Sequence, residues 1–118
     1  MKLTTEAERF YEDQIRFIET RDIDGIRSHY TDDAILVTFD TQIRGGDEIA
    51  DYFRGYLERM TGLRVVSTDK FVETGDTILF EATMDLAAGV ARVYNAFVLH
   101  DGRARYHFSG VLEFTPKA

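Results

Sequence analysis

The hydrophobic pattern changes period once, after Gly62, and that change limits the fold more than any other feature. Ile78, Phe80, Ala82, Met84 and Leu86 alternate with Leu79, Glu81, Thr83 and Asp85. A period of two gives a strand with one apolar face. Turn signals at Gly75-Asp76, Ala88-Gly89 and His100-Asp101-Gly102 divide the second half of the chain. The pieces, 63 to 72, 78 to 86, 90 to 99 and 103 to 114, predict a four-stranded antiparallel meander.

Before Gly62 the spacing is helical. Thr5 and Glu8 make a capping box for a helix over 5 to 20, which carries Phe10, Ile15, Phe17 and Ile18. A second helix, about 22 to 30, has Asp22 as its cap and Ile23, Ile26 and Tyr30 on one side. Thr31, Asp32 and Asp33 are expected to end it in a turn, and AILVTF, 34 to 39, then reads as a strand. Gly45-Gly46, with Asp47 as cap, opens a third helix bearing Ile49, Tyr52, Phe53, Tyr56, Leu57 and Met60. This aromatic face suits plain core packing or the wall of a ligand site.

The predicted fold class is α+β. Three N-terminal helices pack on a strongly curved, mixed but mainly antiparallel sheet, as a cone-shaped barrel with a cavity at its centre. With 118 residues, 44% of them apolar, the chain can bury one core, so residues 1 to 118 are expected to be a single domain. Fourteen basic residues against 21 acidic give a net charge of -7, which argues against a nucleic-acid or anionic-membrane partner. The absence of cysteine excludes disulfides, thiolate metal sites and a cysteine nucleophile. MKLTTEAERFYEDQ has no signal-type apolar core, and no apolar run approaches the ~18 residues of a membrane span. A soluble, cytoplasmic protein is expected.

RDIDGIRSHYTDDAILV, IRGGDEIADYF and FVLHDGRARYHFSG, with the elements DxDGI, YxDDA, RGxxxI and DGR in this order, resemble the nuclear transport factor 2-like superfamily, in particular its SnoaL-like and ketosteroid-isomerase-like members. The resemblance implies a curved sheet, a conical pocket and often a homodimer through the outer sheet faces. Here that outer set would include Tyr94, Val98, Tyr106 and Phe108. The superfamily holds isomerases, dehydratases, cyclases, epoxide hydrolases and noncatalytic modules, so residues must decide.

Ketosteroid isomerase needs a carboxylate base, a tyrosine and a protonated aspartic acid. The resemblance carries these positions onto Thr38, Gln14 and Asn95, and all three differ. Gln14 and Asn95 can still donate an amide N–H to a ligand oxygen, whereas Thr38 cannot serve as a base near neutral pH. The aspartate expected of SnoaL-like cyclases falls near Leu112, and Glu113 would face away on a regular strand. The Asp-Arg-Asp set of epoxide-hydrolase-like members would need Arg92 turned inward onto Asp40 or Asp85; an exposed Arg92 beside the Gly89 turn is the alternative.

Two candidates remain for proton transfer. Asp40 is either a pocket carboxylate, facing as Thr38 does but nearer the mouth, or the solvated end of a strand. His107 shares a face with Ser109, Val111 and Glu113, and the family position that it matches lines the cavity. If both face inward, Asp40 could orient His107 as an acid/base dyad. Asn95, Gln14, Thr38, Tyr30, Phe53, Phe97 and Ser109 stand with them as the substrate-binding set. His29, His100 and His107 have no metal-ligand spacing, and there is no phosphate loop or serine elbow. Without a metal, nucleotide or flavin site, the expected activity is cofactor-independent acid/base chemistry on a small apolar carbonyl or hydroxyl compound. The alternative is a noncatalytic binding or dimerisation module.

Overall fold

The computed structural model describes residues 5 to 118. The elements run α1 (Glu6–Glu19), α2 (Ile23–Ser28), β1 (Tyr30–Val37), β2 (Gln42–Arg44), α3 (Gly46–Arg59), β3 (Arg64–Thr74), β4 (Thr77–Leu86), β5 (Gly89–His100) and β6 (Arg103–Pro116). One six-stranded sheet has the order β2-β1-β6-β5-β4-β3. The meander from β3 to β6 is antiparallel, and β1 joins its end in parallel with β6. The sheet is curved but not closed, since β2 and β3 remain its two edges.

The ends of the helices follow from their residues. Thr5 and Glu8 form both bonds of the capping box, and the Asp22 carboxylate accepts from the Gly25 N–H at 2.9 Å. The third cap differs from expectation. Gly45, at φ +97°, takes the N-cap position of α3 without a side-chain cap, a backbone conformation that suits glycine. Asp47 instead lies in the first turn and accepts from Arg27 at 2.8 Å.

The start of the sheet also differs. Helix α2 ends at Ser28, and Tyr30 to Asp33, expected as a helix end and turn, already belong to β1. Long-range pairing with β6 overrides the local turn signal: Tyr30 lies opposite Ala104, and the Ala104 N–H donates to the His29 carbonyl at 2.7 Å. The Arg27 guanidinium donates to the Tyr30 carbonyl at 3.0 Å and to Asp32 at 2.8 Å, and Asp33 pairs with Arg105 at 3.4 Å, so both aspartates serve ion pairs at a strand start. At the other end β1 stops at Val37, and the Thr38 N–H donates to the Thr41 carbonyl at 2.9 Å to close a turn into β2, which the sequence did not announce.

The helices cover one face of the sheet. Ala7, Phe10 and Tyr11 of α1 and Ile49, Phe53 and Leu57 of α3 meet Ile78, Phe80 and Ala82 of β4 and Phe97 of β5 in one buried cluster. Bulges bend the long strands. In β6, Arg92 faces Glu113 but Val93 faces Val111, so Leu112 is an extra residue. This bulge reverses the expected facing beyond Val111: Glu113 lies outside with Arg92, not on the face of His107.

Candidate functional site

Between the helices and the concave sheet lies a cavity of about 540 Å³. Its wall is mostly apolar: Ile15 and Ile18 of α1, Tyr52, Phe53 and Tyr56 of α3, and Phe80, Met84, Val93 and Phe97 of the sheet. The aromatic face of α3 therefore does both jobs foreseen for it, with Phe53 in the core and all three rings on the cavity. Burial pushes the Tyr56 hydroxyl up to about 12, with Tyr52 adding to the shift, so both phenols stay protonated near neutral pH.

The polar groups fall into two sets. Deep in the cone, Tyr30 from the start of β1, Gln14 from α1, His107 from β6 and Asn95 from β5 meet in one hydrogen-bonded chain. His29 Nδ1 lies 2.7 Å from Gln14 Oε1, Gln14 Nε2 3.2 Å from the Tyr30 hydroxyl, that hydroxyl 2.8 Å from His107 Nδ1, and His107 Nε2 2.7 Å from Asn95 Oδ1. Phe97 stacks on the His107 ring with centroids 4.0 Å apart, and Phe10 stacks on His29 at 4.2 Å. Burial pushes His107 down to about 3 and His29 down to about 4, the latter against an opposing pull from Asp13. Both rings are neutral near pH 7, and burial likewise holds the Tyr30 hydroxyl protonated.

At the mouth the arrangement is looser. Phe39 is 96% exposed. Asp40 sits beside it in the turn after β1 and accepts from the Thr38 hydroxyl at 3.3 Å. It is the single carboxylate on the cavity wall among the described residues. The dyad foreseen between Asp40 and His107 is not formed, because both His107 nitrogens are already engaged by Tyr30 and Asn95. Both residues nevertheless line the cavity, as do Gln14, Asn95, Thr38, Phe53, Phe97 and Ser109. Tyr30 does not: it lies wholly buried behind Gln14 and His107.

Arg92 stands outside, 3.4 Å from Glu81 and 4.0 Å from Glu113, while Asp85 pairs with Lys117 at 2.8 Å. No Asp-Arg-Asp set faces the cavity among the described residues.

An architecture of three helices on this sheet, a cone between them and its polar residues on β5 and β6 invites comparison with known families. The SnoaL-like domain profile matches residues 7–110. The chain belongs to the SnoaL-like domain family. Among solved structures, a candidate ketosteroid isomerase from Kribbella flavida superposes with a TM-score of 0.81 at 9% identity, covering 98% of this chain and 84% of that one. A SnoaL-like protein of unknown function from Burkholderia thailandensis gives 0.80 at 16% identity, covering 96% and 100%. An epoxide hydrolase of the LEH-like type from M. tuberculosis gives 0.71 at 24% identity, covering 92% and 84%. No curated protein matches the sequence.

Within this SnoaL-like domain, Gln14 and Asn95 differ in their use. Gln14 is 3% exposed and spends its amide on Tyr30 and His29, so it braces the site. The Asn95 amide nitrogen has no hydrogen-bond partner among the described residues and remains available on the cavity wall. The residue that sequence reasoning missed is His29. As a helix-end histidine it had no local sign of its role; the only signal was its place one residue before Tyr30, which the parallel β1–β6 pairing draws inward.

Proposed function

We propose that this SnoaL-like domain binds a small, mostly apolar molecule carrying one carbonyl or hydroxyl oxygen and transforms it by cofactor-independent acid/base chemistry. Asn95 would hold and polarise the ligand oxygen, and Asp40 would carry the proton. His107 is better suited to a positioning role, since it can accept a substrate proton only by giving up Tyr30 or Asn95. The observation that carries this reading is the pairing, on one apolar wall, of a single carboxylate with an amide nitrogen left free by its own network. Isomerisation, dehydration, cyclisation and epoxide hydrolysis all fit such a pair.

A noncatalytic binding module is the second reading. The exposure of the Asp40 side chain and its short-range tie to Thr38 favour it, because nothing else in the site is arranged to activate that carboxylate.

The test is a panel of ketones, enones and epoxides, with binding followed by NMR and turnover by product chromatography. Turnover that Asp40→Asn abolishes while binding persists supports the enzyme. Binding without turnover across the panel supports the module, and no binding at all sinks both. We also propose a homodimer through the outer sheet face, where Tyr106 and Phe108 stack 6.3 Å apart and Tyr94 and Phe108 are exposed. Replacing Tyr106 and Phe108 by Ser should shift the sizing-column elution from dimer to monomer. An unchanged elution volume overturns that assignment.

A further inference from the structure

The chain from His29 to Asn95 has a property that follows from counting its hydrogens. An amide oxygen only accepts and an amide NH2 only donates, while a neutral imidazole has one of each and a hydroxyl can do both. With Asn95 Oδ1 against His107 Nε2, that nitrogen must carry the proton, so Nδ1 accepts from the Tyr30 hydroxyl. Tyr30 in turn accepts from Gln14 Nε2, and Gln14 Oε1 accepts from His29 Nδ1–H. All four donations run from His29 toward Asn95, and the group left facing the cavity is the Asn95 NH2, a donor.

The same heavy-atom positions also satisfy the opposite direction. Turning the Asn95 and Gln14 amides over and exchanging the tautomers of both histidines gives Asn95 Nδ2–H to His107 Nε2, His107 Nδ1–H to Tyr30, the Tyr30 O–H to Gln14 Oε1, and Gln14 Nε2–H to His29 Nδ1. No bond is lost and no charge appears. What changes is the cavity end, where Asn95 now presents its carbonyl, an acceptor. A half-reversed chain would set two donors or two acceptors face to face, and in a buried site that leaves unpaired groups costing more than the bonds are worth. The two directions are therefore discrete states of the whole chain.

We infer that this chain is a two-direction relay that lets the cavity read a ligand oxygen either as an acceptor or as a donor, so that ketones and hydroxyl compounds of one shape are both within its substrate class. The inference rests on the ligand-binding reading above. It makes Asn95 the specificity-determining contact, and Gln14, Tyr30, His107 and His29 the positioning residues that give it two settings. Since His29 lies near the surface and Asn95 on the cavity, the ligand's chemistry is reported at the outer end of the chain as a change of tautomer. The two states hold the same number of protons and the same charge; passing between them relocates one proton from one ring nitrogen to the other on each histidine.

The test uses the full chain with 15N-labelled histidine at pH 7, titrated with 1-tetralone and with 1-naphthol, matched in ring size but offering a carbonyl and a hydroxyl. Long-range 1H–15N spectra read which ring nitrogen of each histidine is protonated. Both titrations are run on wild type and on Asp40→Ala, which denies the naphthol hydroxyl an acceptor at the mouth. The expected result is His107 protonated on Nε2 with 1-tetralone and on Nδ1 with 1-naphthol, with His29 changing in the same titration from Nδ1 to Nε2. Gln14→Leu should cut the relay, so that His107 still follows the probe and His29 stops doing so.

If both probes bind at saturation and His107 keeps one tautomer in both proteins, the inference falls and the ligand-binding reading stands. If neither probe binds, the reading fails and the inference with it. His29 still following the ligand in Gln14→Leu would also overturn the relay, and the wild-type spectra carry the test if that variant does not fold.

Discussion

The deep end of the cavity and its mouth are built on opposite terms. At the deep end Tyr30, Gln14 and His107 are buried, each of their polar side-chain atoms has a partner, and three segments far apart in the sequence supply them. At the mouth Phe39 and Asp40 sit exposed in one short turn that the Thr38 N–H closes onto the Thr41 carbonyl, and the Asp40 carboxylate accepts from the Thr38 hydroxyl. The contrast teaches where stability and reactivity separate. A buried polar group must be satisfied by the fold and is thereby spent, whereas an exposed one costs the fold little and is free to meet a ligand.

The largest expected effect concerns pH and would break this comparison if absent. His107 and His29 titrate at about 3 and about 4 in the folded chain, below the ordinary histidine value near 6.5. Between those values the unfolded chain binds the extra protons, so stability is complete above pH 6.5 and falls as the pH drops. The slope approaches about 1.4 kcal/mol per pH unit for each histidine. Urea unfolding at pH 7, 6, 5 and 4.5 measures it, and His107→Gln should remove part of the slope. A flat profile across that range would mean that the two rings are not held neutral.

Next in size is Tyr30→Phe, which leaves His107 Nδ1 and Gln14 Nε2 without partners in a buried place. A loss of about 2–4 kcal/mol in unfolding free energy is expected. A loss well under 1 kcal/mol would show that water or a rotated Gln14 replaces the hydroxyl, and the deep end would then resemble the mouth. The smallest effect sharpens the comparison from the other side: Asp40→Asn should leave the urea midpoint at pH 7 unchanged within error while removing any turnover. Equal damage to stability and to activity there would mean that the carboxylate is structural.

The sequence carried the fold to a large extent because the fold is made of local signals. The alternation in 78 to 86, the glycine turns and the two capped helices each act within a few residues and reappear as β4, its hairpins, α1 and α2. The errors lie where long-range pairing overrules local preference. Thr31 to Asp33 look like a turn until β6 pairs with them, and the face of Glu113 cannot be assigned without the Leu112 bulge. The site was legible as a set of residues but not as a set of bonds. His107, Asn95, Gln14 and Tyr30 could be singled out, yet their connection through Tyr30 depends on the register between β1 and β6, which no motif encodes.

The parallel pairing of β1 with β6 also sets a schedule. Tyr30 and His107 are 77 residues apart, and β6, which carries His107, follows the other described elements in chain order. A contact of such sequence separation closes late and slows folding. A chain growing from its N-terminus must therefore carry Gln14 and Tyr30, both destined for a dry interior, in contact with water until β6 arrives. The Tyr30–His107 and His107–Asn95 bonds at the deep end of this cavity can form only once β6 is in place.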